Sequence, residues 1–299
     1  MTKASDYIAR EILKLDLPIV TIDEIESIIH TMYSPQSRKG LFLRCEAPDI
    51  NDIKRYVYQL LKNKDLKSTK RKGVFYVKGQ DPLSTQEMVS LADSHIYVAY
   101  LSAMQRWGLT NRQAKDFIFA RPNRAIIKSL KANKDEPVKG KWGFAETPIQ
   151  LAVSPKSLSQ ILEGHRKKNI QIVETSTPAK TMLLGGEHTR ISTQAATFVD
   201  MLYRPDLCGG MSHISEVWEE HIPLLGESIL RQLIETVDAA TSPILKVRAG
   251  YLLSEKIGLR DSRVDTWKKF AARGGSRKLD PDKPYINEFS EDWMLSLNV

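Results

Sequence analysis

The most restrictive feature of this sequence is a pair of short runs, Leu66 to Lys70 and Val74 to Lys78, joined through Arg71-Lys72-Gly73. Phe75 and Tyr76 favour extended backbone, so the pattern predicts a β-hairpin. Upstream of it, apolar residues recur at helical spacing three times. Ile8, Ile12 and Leu15 mark a first helix, which Pro18 ends. Thr21-Ile22-Asp23-Glu24 has the form of a capping box, in which the Thr21 hydroxyl and the Glu24 carboxylate satisfy each other's free backbone donors. Ile22, Ile25, Ile28, Ile29 and Met32 then form one apolar stripe. After a loop containing Pro35, Gly40 and Pro48, a third helix starts at Asp49 or Asn51. Ile53, Val57, Leu60 and Leu61 face inward from it, and Lys54, Arg55, Tyr58, Gln59 and Lys62 occupy its other face.

Three helices followed by a basic hairpin is the element order of a winged helix-turn-helix, whose third helix enters the major groove while the hairpin rests on phosphates or the adjacent minor groove. The charge distribution points the same way. The 299 residues carry 44 Lys+Arg against 36 Asp+Glu, a net charge of +8, and Ile53 to Lys78 alone holds nine basic residues and one acidic. The excess of that segment equals the excess of the whole chain, so the remainder is balanced. A local surplus of this kind calls for a polyanion, with nucleic acid ahead of a membrane surface. Lys-rich helices are commonly no more than solvated faces, and winged helices also dock proteins; the hairpin and the localised charge together favour DNA. Arg55 and Gln59 lie four apart on one helical face and can pair in a bidentate way with guanine and adenine edges, and Asn51, Lys54 and Tyr58 share the candidate base-reading face. Lys62, Lys67, Lys70, Arg71 and Lys72 complete the expected DNA-binding set, the hairpin cations supplying phosphate neutralisation and position.

At about 150 residues per domain the chain has room for two domains, and Gly79 to Gln86, with Pro82 and Ser84, reads as the linker. The expected architecture is α+β: an N-terminal winged helix-turn-helix over residues 1–82, then a larger mixed α/β domain over residues 83–299 with a helical C-terminal part. In the second domain Ile96 to Met104 is followed by Gly108 as a helix stop. Phe117 to Ala120, Ile149 to Val153 and Ile170 to Val173 are strand candidates. Thr193 to Tyr203 returns to helix, with Ala196, Val199, Leu202 and Tyr203 as its apolar face, and the chain stays largely helical to Ala272, broken at Pro223, Pro243 and Gly258. Cys45 and Cys208 are far apart and form no CxxC pattern, which suits a reducing cytosol and small buried hydrophobes. The N-terminus lacks the apolar core of a secretory signal, and no apolar run approaches the length of a membrane span. The expectation is a soluble cytoplasmic protein with no membrane partner.

Enzymatic chemistry finds little support. His213, Glu216, Glu219, Glu220 and His221 are the densest group of potential metal ligands, but the two histidines are eight residues apart. On a helix rising about 1.5 Å per residue they lie more than about 10 Å apart, too far for one ion, so the segment reads as an exposed acidic helix. Leu183-Leu184-Gly185-Gly186-Glu187 lacks the spacing and the Lys-Ser/Thr of a phosphate-binding loop and reads as a turn. There is no Gly-x-Ser-x-Gly, and no acidic pair on a clear strand with a lysine two residues on, as a magnesium nuclease would use. No catalytic residue, metal or cofactor is expected.

Two stretches of the second domain carry a resemblance. Ser102-Ala103-Met104, running to Gly108-Leu109, is similar to the Ser-Ala-Leu-x-x-x-Gly-Leu element of the AbiEi family, the abortive-infection antitoxins of type IV toxin–antitoxin systems. More specifically, Thr197, Asp200, Arg204, Pro205, Gly209 and Gly210 resemble that family's Thr-x-x-Asp helix running into Arg-Pro-x-x-x-Gly-Gly. Gly250-Tyr251-Leu252-Leu253, Leu279-Asp280-Pro281, Trp293 and Asn298 also look like family features. The resemblance implies a bacterial phage-defence protein whose winged helix represses its own operon at inverted repeats in operator DNA. It further implies a C-terminal domain that counteracts, directly or indirectly, a nucleotidyltransferase-like toxin encoded beside it. Read on its chemistry alone, the Thr197 to Gly210 region is a packing joint in preference to a toxin contact: Thr197 and Asp200 share a helical face, Arg204 pairs with Asp200 at i,i+4 spacing, Pro205 stops the helix, and the two glycines permit positive φ or close backbone packing. Two alternatives stay open, a stand-alone winged-helix regulator whose second domain senses a ligand or oligomerises, and a DNA-targeted nuclease.

Overall fold

A computed structural model of the chain describes residues 3–41, 43, 45–69, 72–81, 83–132, 170–272 and 277–299. Lys70, Arg71 and the strand expected at Ile149 to Val153 lie outside the described residues. What is described is a mixed α+β protein. It divides into two compact units, one holding the described residues of Met1–Ile96, Pro122–Asn169 and Gly185–Thr189, the other those of Tyr97–Arg121, Ile170–Leu184 and Arg190–Val299.

The first unit runs α1 (Ala4–Leu13), β1 (Ile19–Thr21), α2 (Ile22–Met32), α3 (Ile50–Lys62), β2 (Leu66–Ser68) and β3 (Val74–Val77). Each helix buries one apolar face: Ile8 and Ile12 from α1, Ile25, Ile29 and Met32 from α2, and Ile53, Tyr56 and Leu60 from α3 share a core with Leu66, Phe75 and Val77. The capping box is formed, with the Thr21 N–H donating to Glu24 Oε2 at 2.7 Å and the Glu24 N–H to Thr21 Oγ1 at 3.3 Å. The strands make an antiparallel sheet in the order β1-β3-β2, with Val20 opposite Phe75 and Lys67 opposite Tyr76. β1 was not among the expected elements. Three residues that follow a proline and end on a helix cap carry no period of their own, and they are extended because β3 offers them an edge; the Ile22 N–H closes that pairing on the Gly73 carbonyl at 2.7 Å. α4 (Thr85–Ala92) starts from a Ser84–Glu87 capping box and packs against β1 within this unit.

The second unit opens with β4 (Tyr97–Val98) and α5 (Tyr100–Arg106), so the apolar run from Ile96 divides between a strand and a helix that stops at Gly108, φ +69°. β5 (Phe117–Pro122) leads to α6 (Arg124–Ala132), which belongs to the first unit. With β6 (Ile170–Thr175), β7 (Thr181–Leu183) and β8 (Arg190–Ser192) the strands form a five-stranded mixed sheet ordered β6-β5-β4-β8-β7, in which β4 runs antiparallel to β5 and parallel to β8. α7 (Gln194–Tyr203), α8 (Met211–His221), α9 (Glu227–Ala239) and α10 (Pro243–Tyr251) follow. α7 is the hub, touching α5, α8, α9 and α10 and seating Phe198 edge-on against Trp218 at 5.7 Å between ring centroids.

The break expected at Pro243 falls between α9 and α10, with the proline as the first residue of α10, where an N–H would have no partner and its absence is tolerated. One expectation for this unit is corrected. α8 is not an exposed acidic helix: Met211, His213, Ile214, Val217 and Trp218 are buried, and Glu216, Glu219 and Glu220 occupy only its outer face.

The C-terminal residues close over α10. It continues through a π turn at Leu252–Lys256 to α11 (Ser262–Asp265), and the chain ends in a small hairpin, β9 (Phe289–Ser290) and β10 (Leu295–Ser296). Trp293 is fully buried with its ring on Gly250, where a Cβ would overlap the indole, and its Nε1 donates to Ser254 Oγ at 3.0 Å. Asn298 accepts from the Asp280 N–H and donates to the carbonyls of Asp280, Lys283 and Pro284. Gly250 and Trp293 are thus parts of one packing joint, and Asn298 holds the Asp280 to Pro284 turn. Among the described residues no helix is long and apolar enough to cross a membrane.

Candidate nucleic-acid interface

α3 owes its start to Asp49, whose carboxylate accepts from the Asn51 and Asp52 N–H groups at 2.9 and 2.8 Å, while the Asp49 N–H donates to Asp52 Oδ2 at 3.2 Å. With the first turn so placed and Ile53, Tyr56 and Leu60 turned inward, Asn51, Lys54, Arg55, Tyr58, Gln59 and Lys62 fall within roughly 140° of arc on the outer side, at 3.6 residues per turn. Asn51, Lys54, Tyr58 and Lys62 are exposed, Tyr58 at 65%. Arg55 and Gln59 are half-buried on the flank of that stripe.

Arg55 is not a free arm. Its guanidinium pairs with Asp52 one turn back and lies 5.1 Å from the centre of the Tyr56 ring. Asp52 in turn accepts from the Cys45 thiol at 3.4 Å, Cys45 reaches Tyr33 Oη at 3.5 Å, and the Tyr33 and Tyr56 hydroxyls meet at 3.0 Å. Burial pushes the Asp52 carboxyl up, but the Asp49 N–H, the Cys45 thiol and Arg55 outweigh it and hold the group below the usual carboxylate range. Cys45 is therefore a half-exposed member of a polar network, which corrects its reading as a small buried hydrophobe; Cys208 is buried as expected. Only the hydrogen-bond geometry reveals this network, since Tyr33, Cys45 and Asp52 have no common spacing in the sequence.

The hairpin carries Lys67 on β2 and Lys72 in the turn, both exposed, with Lys64 and Lys78 exposed at its base. Gly73 takes φ +78°, and the Thr69 N–H and Oγ1 both donate to the Val74 carbonyl, which tightens the turn. Among the described residues Lys54, Lys62, Lys67 and Lys72 form no ion pair with a carboxylate. Among the described residues this surface is a band of ammonium groups without ion-pair partners on one helix and one hairpin, with an exposed phenol at the helix centre.

The residues from Thr197 to Gly210 also come together, but inside the second unit. Thr197 Oγ1 lies 2.8 Å from Ser192 Oγ and donates to the Thr193 carbonyl at 2.9 Å, tying α7 to β8. Asp200 is buried, with one carboxylate oxygen lacking any hydrogen-bond partner, and burial pushes its carboxyl up to about 8. The expected Arg204–Asp200 pair is not made. Arg204 leaves the helix at φ −136° just before Pro205, and its guanidinium turns outward to grip Asp206 at 2.9 and 2.7 Å. Gly209 and Gly210 take φ of +90° and +88°, and a Cβ on Gly209 would stand 2.9 Å from the His213 ring. Around them Arg112 donates to the Gly209 carbonyl at 3.2 Å and His213 Nε2 meets Thr110 Oγ1 at 3.0 Å. Burial and the neighbouring Arg112 hold the His213 imidazole below its usual value, which favours the neutral ring.

Among the described residues no three His, Cys, Asp or Glu side chains are grouped to hold a metal ion. No model of a known protein family matches the chain, and no curated protein sequence does. Among solved structures, the crystal structure of the RV2827C protein from Mycobacterium tuberculosis is similar over 97% of this chain and 90% of its own, at 11% identity and a TM-score of 0.45. A likeness that loose carries no argument about function.

Proposed function

We propose that this chain is a cytoplasmic DNA-binding protein that represses its own operon and acts as an antitoxin of the AbiEi type. The winged helix-turn-helix spans residues 1–82, and the antitoxin domain lies within residues 83–299, apart from α4 and α6, which belong to the first unit. The observation that carries the DNA-binding part is the band of unpaired lysines on α3 and the β2–β3 hairpin, in an element order that supports reading α3 as the recognition helix and the hairpin as the wing. In that role Asn51, Lys54, Tyr58 and Lys62 face the groove, Arg55 and Gln59 reach bases from its flank, and Lys67, Lys70, Arg71 and Lys72 hold phosphates. The antitoxin part rests on the resemblance of the Thr197 to Gly210 string.

Gel retardation on the DNA upstream of the chain's own operon, repeated over a range of salt, tests the first part. Lys67→Ala and Lys72→Ala together should flatten the log–log salt dependence by about 0.9 for each phosphate that is no longer neutralised. An unchanged slope would remove the hairpin from the interface. For the second part, co-expression with a neighbouring nucleotidyltransferase-like toxin should restore growth, and failure of the folded full chain to do so would refute the antitoxin assignment.

A further inference from the structure

Between the C-terminal end of α3 and β2 lies a cleft of about 660 Å³, within the size range of small-molecule sites. Leu61, Leu66, Val77 and the ring of Tyr76 give it apolar lining, and Lys64, Lys67 and Lys78, all exposed, stand around it. Among the described residues no acidic side chain lines it, and none of the three lysines pairs with a carboxylate. Lys64 adds a second, independent observation. The Asp65 N–H bonds to the Leu60 carbonyl at 3.0 Å and the Lys64 N–H to the Leu61 carbonyl at 3.1 Å, the double closure that ends a helix with a left-handed residue. Lys64 is that residue, at φ +63°. Glycine fits such a position without strain, so the backbone there does not require the lysine side chain.

We propose that this cleft binds an organic anion with an apolar body, its charged group held by Lys64, Lys67 and Lys78 and its body against the apolar lining, chiefly Leu61 and the half-buried ring of Tyr76. Inorganic phosphate would leave the apolar lining unused, and a neutral apolar molecule would leave three cations uncompensated. Lys67 also belongs to the proposed DNA surface, so an occupied cleft competes with DNA for that residue. Binding of the anion does not depend on the DNA reading, and failure of either leaves the other standing.

The test is a fluorescence titration of the full chain with 1-anilinonaphthalene-8-sulfonate, set against its uncharged relative N-phenyl-1-naphthylamine. The sulfonate should saturate and the neutral amine should bind far more weakly. Replacing each lysine should weaken the sulfonate roughly three- to tenfold, the scale of one nearby charge in a partly solvated site. Lys64→Gly is the decisive variant, because glycine relieves the left-handed backbone: it should melt no lower than the parent while losing affinity. The proposal is overturned if the parent does not bind the sulfonate, if the neutral amine binds as tightly, or if the folded variant Lys64→Gly/Lys67→Ala/Lys78→Ala binds the sulfonate like the parent. Lysine-dependent co-sedimentation with phosphatidylglycerol vesicles, without binding of free sulfonate, would assign the cations to a lipid surface and overturn it as well.

Discussion

Asp200 makes a quantitative demand on the fold. Its carboxyl titrates at about 8 in the native chain, against 3.8 for a carboxyl in water, because burial within α7 disfavours the anion. The native state therefore holds the proton more tightly than the unfolded state does. Its contribution to stability is complete below pH about 4 and is given up as pH rises through about 8. At about 1.4 kcal/mol for each unit of separation, the cost accumulated between pH 5 and pH 9 is roughly 4 kcal/mol, a large share of a typical folding free energy. Asp200→Asn keeps the shape of the side chain and cannot ionise. Whatever constant offset the amide introduces, the difference in unfolding free energy between variant and parent should grow in the variant's favour by about 4 kcal/mol from pH 5 to pH 9, on the order of 10 °C in melting temperature for a protein of this size. Urea denaturation followed by circular dichroism at five pH values reads that difference directly, because all other titrating groups are common to both proteins. Two curves that stay parallel across this range would show that Asp200 ionises normally and that the carboxylate is reached by water or a cation.

Two further outcomes follow from particular side chains. Gly250→Ala drives a methyl group into the Trp293 indole, whose position is held by Ser254, and should cost about 2–3 kcal/mol as an overpacked core; an unchanged urea midpoint would show that the indole is not seated on α10. Arg55→Ala should relax operator preference at one base position by about 1–3 kcal/mol in binding selections and change stability by less than about 1 kcal/mol, since the Asp52 pair it breaks is partly exposed. Equal weakening on every sequence would mean that the guanidinium meets a phosphate and reads no base, and unchanged binding would mean that it stays on Asp52.

The helices of the first unit were legible because their information is local. Thr21 and Glu24, or Ile25, Ile29 and Met32, stand at spacings that only a helix brings to one face, and the structure places them there. The hairpin was legible for the same reason. β1 was not, since Ile19 to Thr21 acquire their conformation from β3, more than fifty residues away, and no local pattern announces such a partner. The charge count likewise located a surface but could not say which cations are free. Among the described residues Lys54 and Lys62 form no ion pair, whereas Arg55, the residue best suited by chemistry to read guanine, is folded back on Asp52 by a network that includes a cysteine from the preceding loop.

The Arg204 to Gly210 string shows how a spacing rule fails at the end of a helix. Arg204 and Asp200 are four apart, and within a continuing helix they would meet. Arg204 is the residue at which α7 stops, so its side chain leaves the ladder and finds Asp206 in the turn that Pro205 imposes, while Asp200 remains in the interior with an unpartnered oxygen. The motif therefore separates into two physical classes. Thr197, Asp200, Pro205, Gly209 and Gly210 are positions where packing or backbone geometry restricts the residue, and any loss of function on changing them passes first through the fold. Arg204, with its side chain 44% exposed and bidentate on an equally exposed Asp206, is the member placed to meet another molecule without unfolding its own. A role in neutralisation carried by this string must run through that guanidinium, because Thr197 ties α7 to β8, Asp200 is buried, and Pro205, Gly209 and Gly210 shape the turn between α7 and α8.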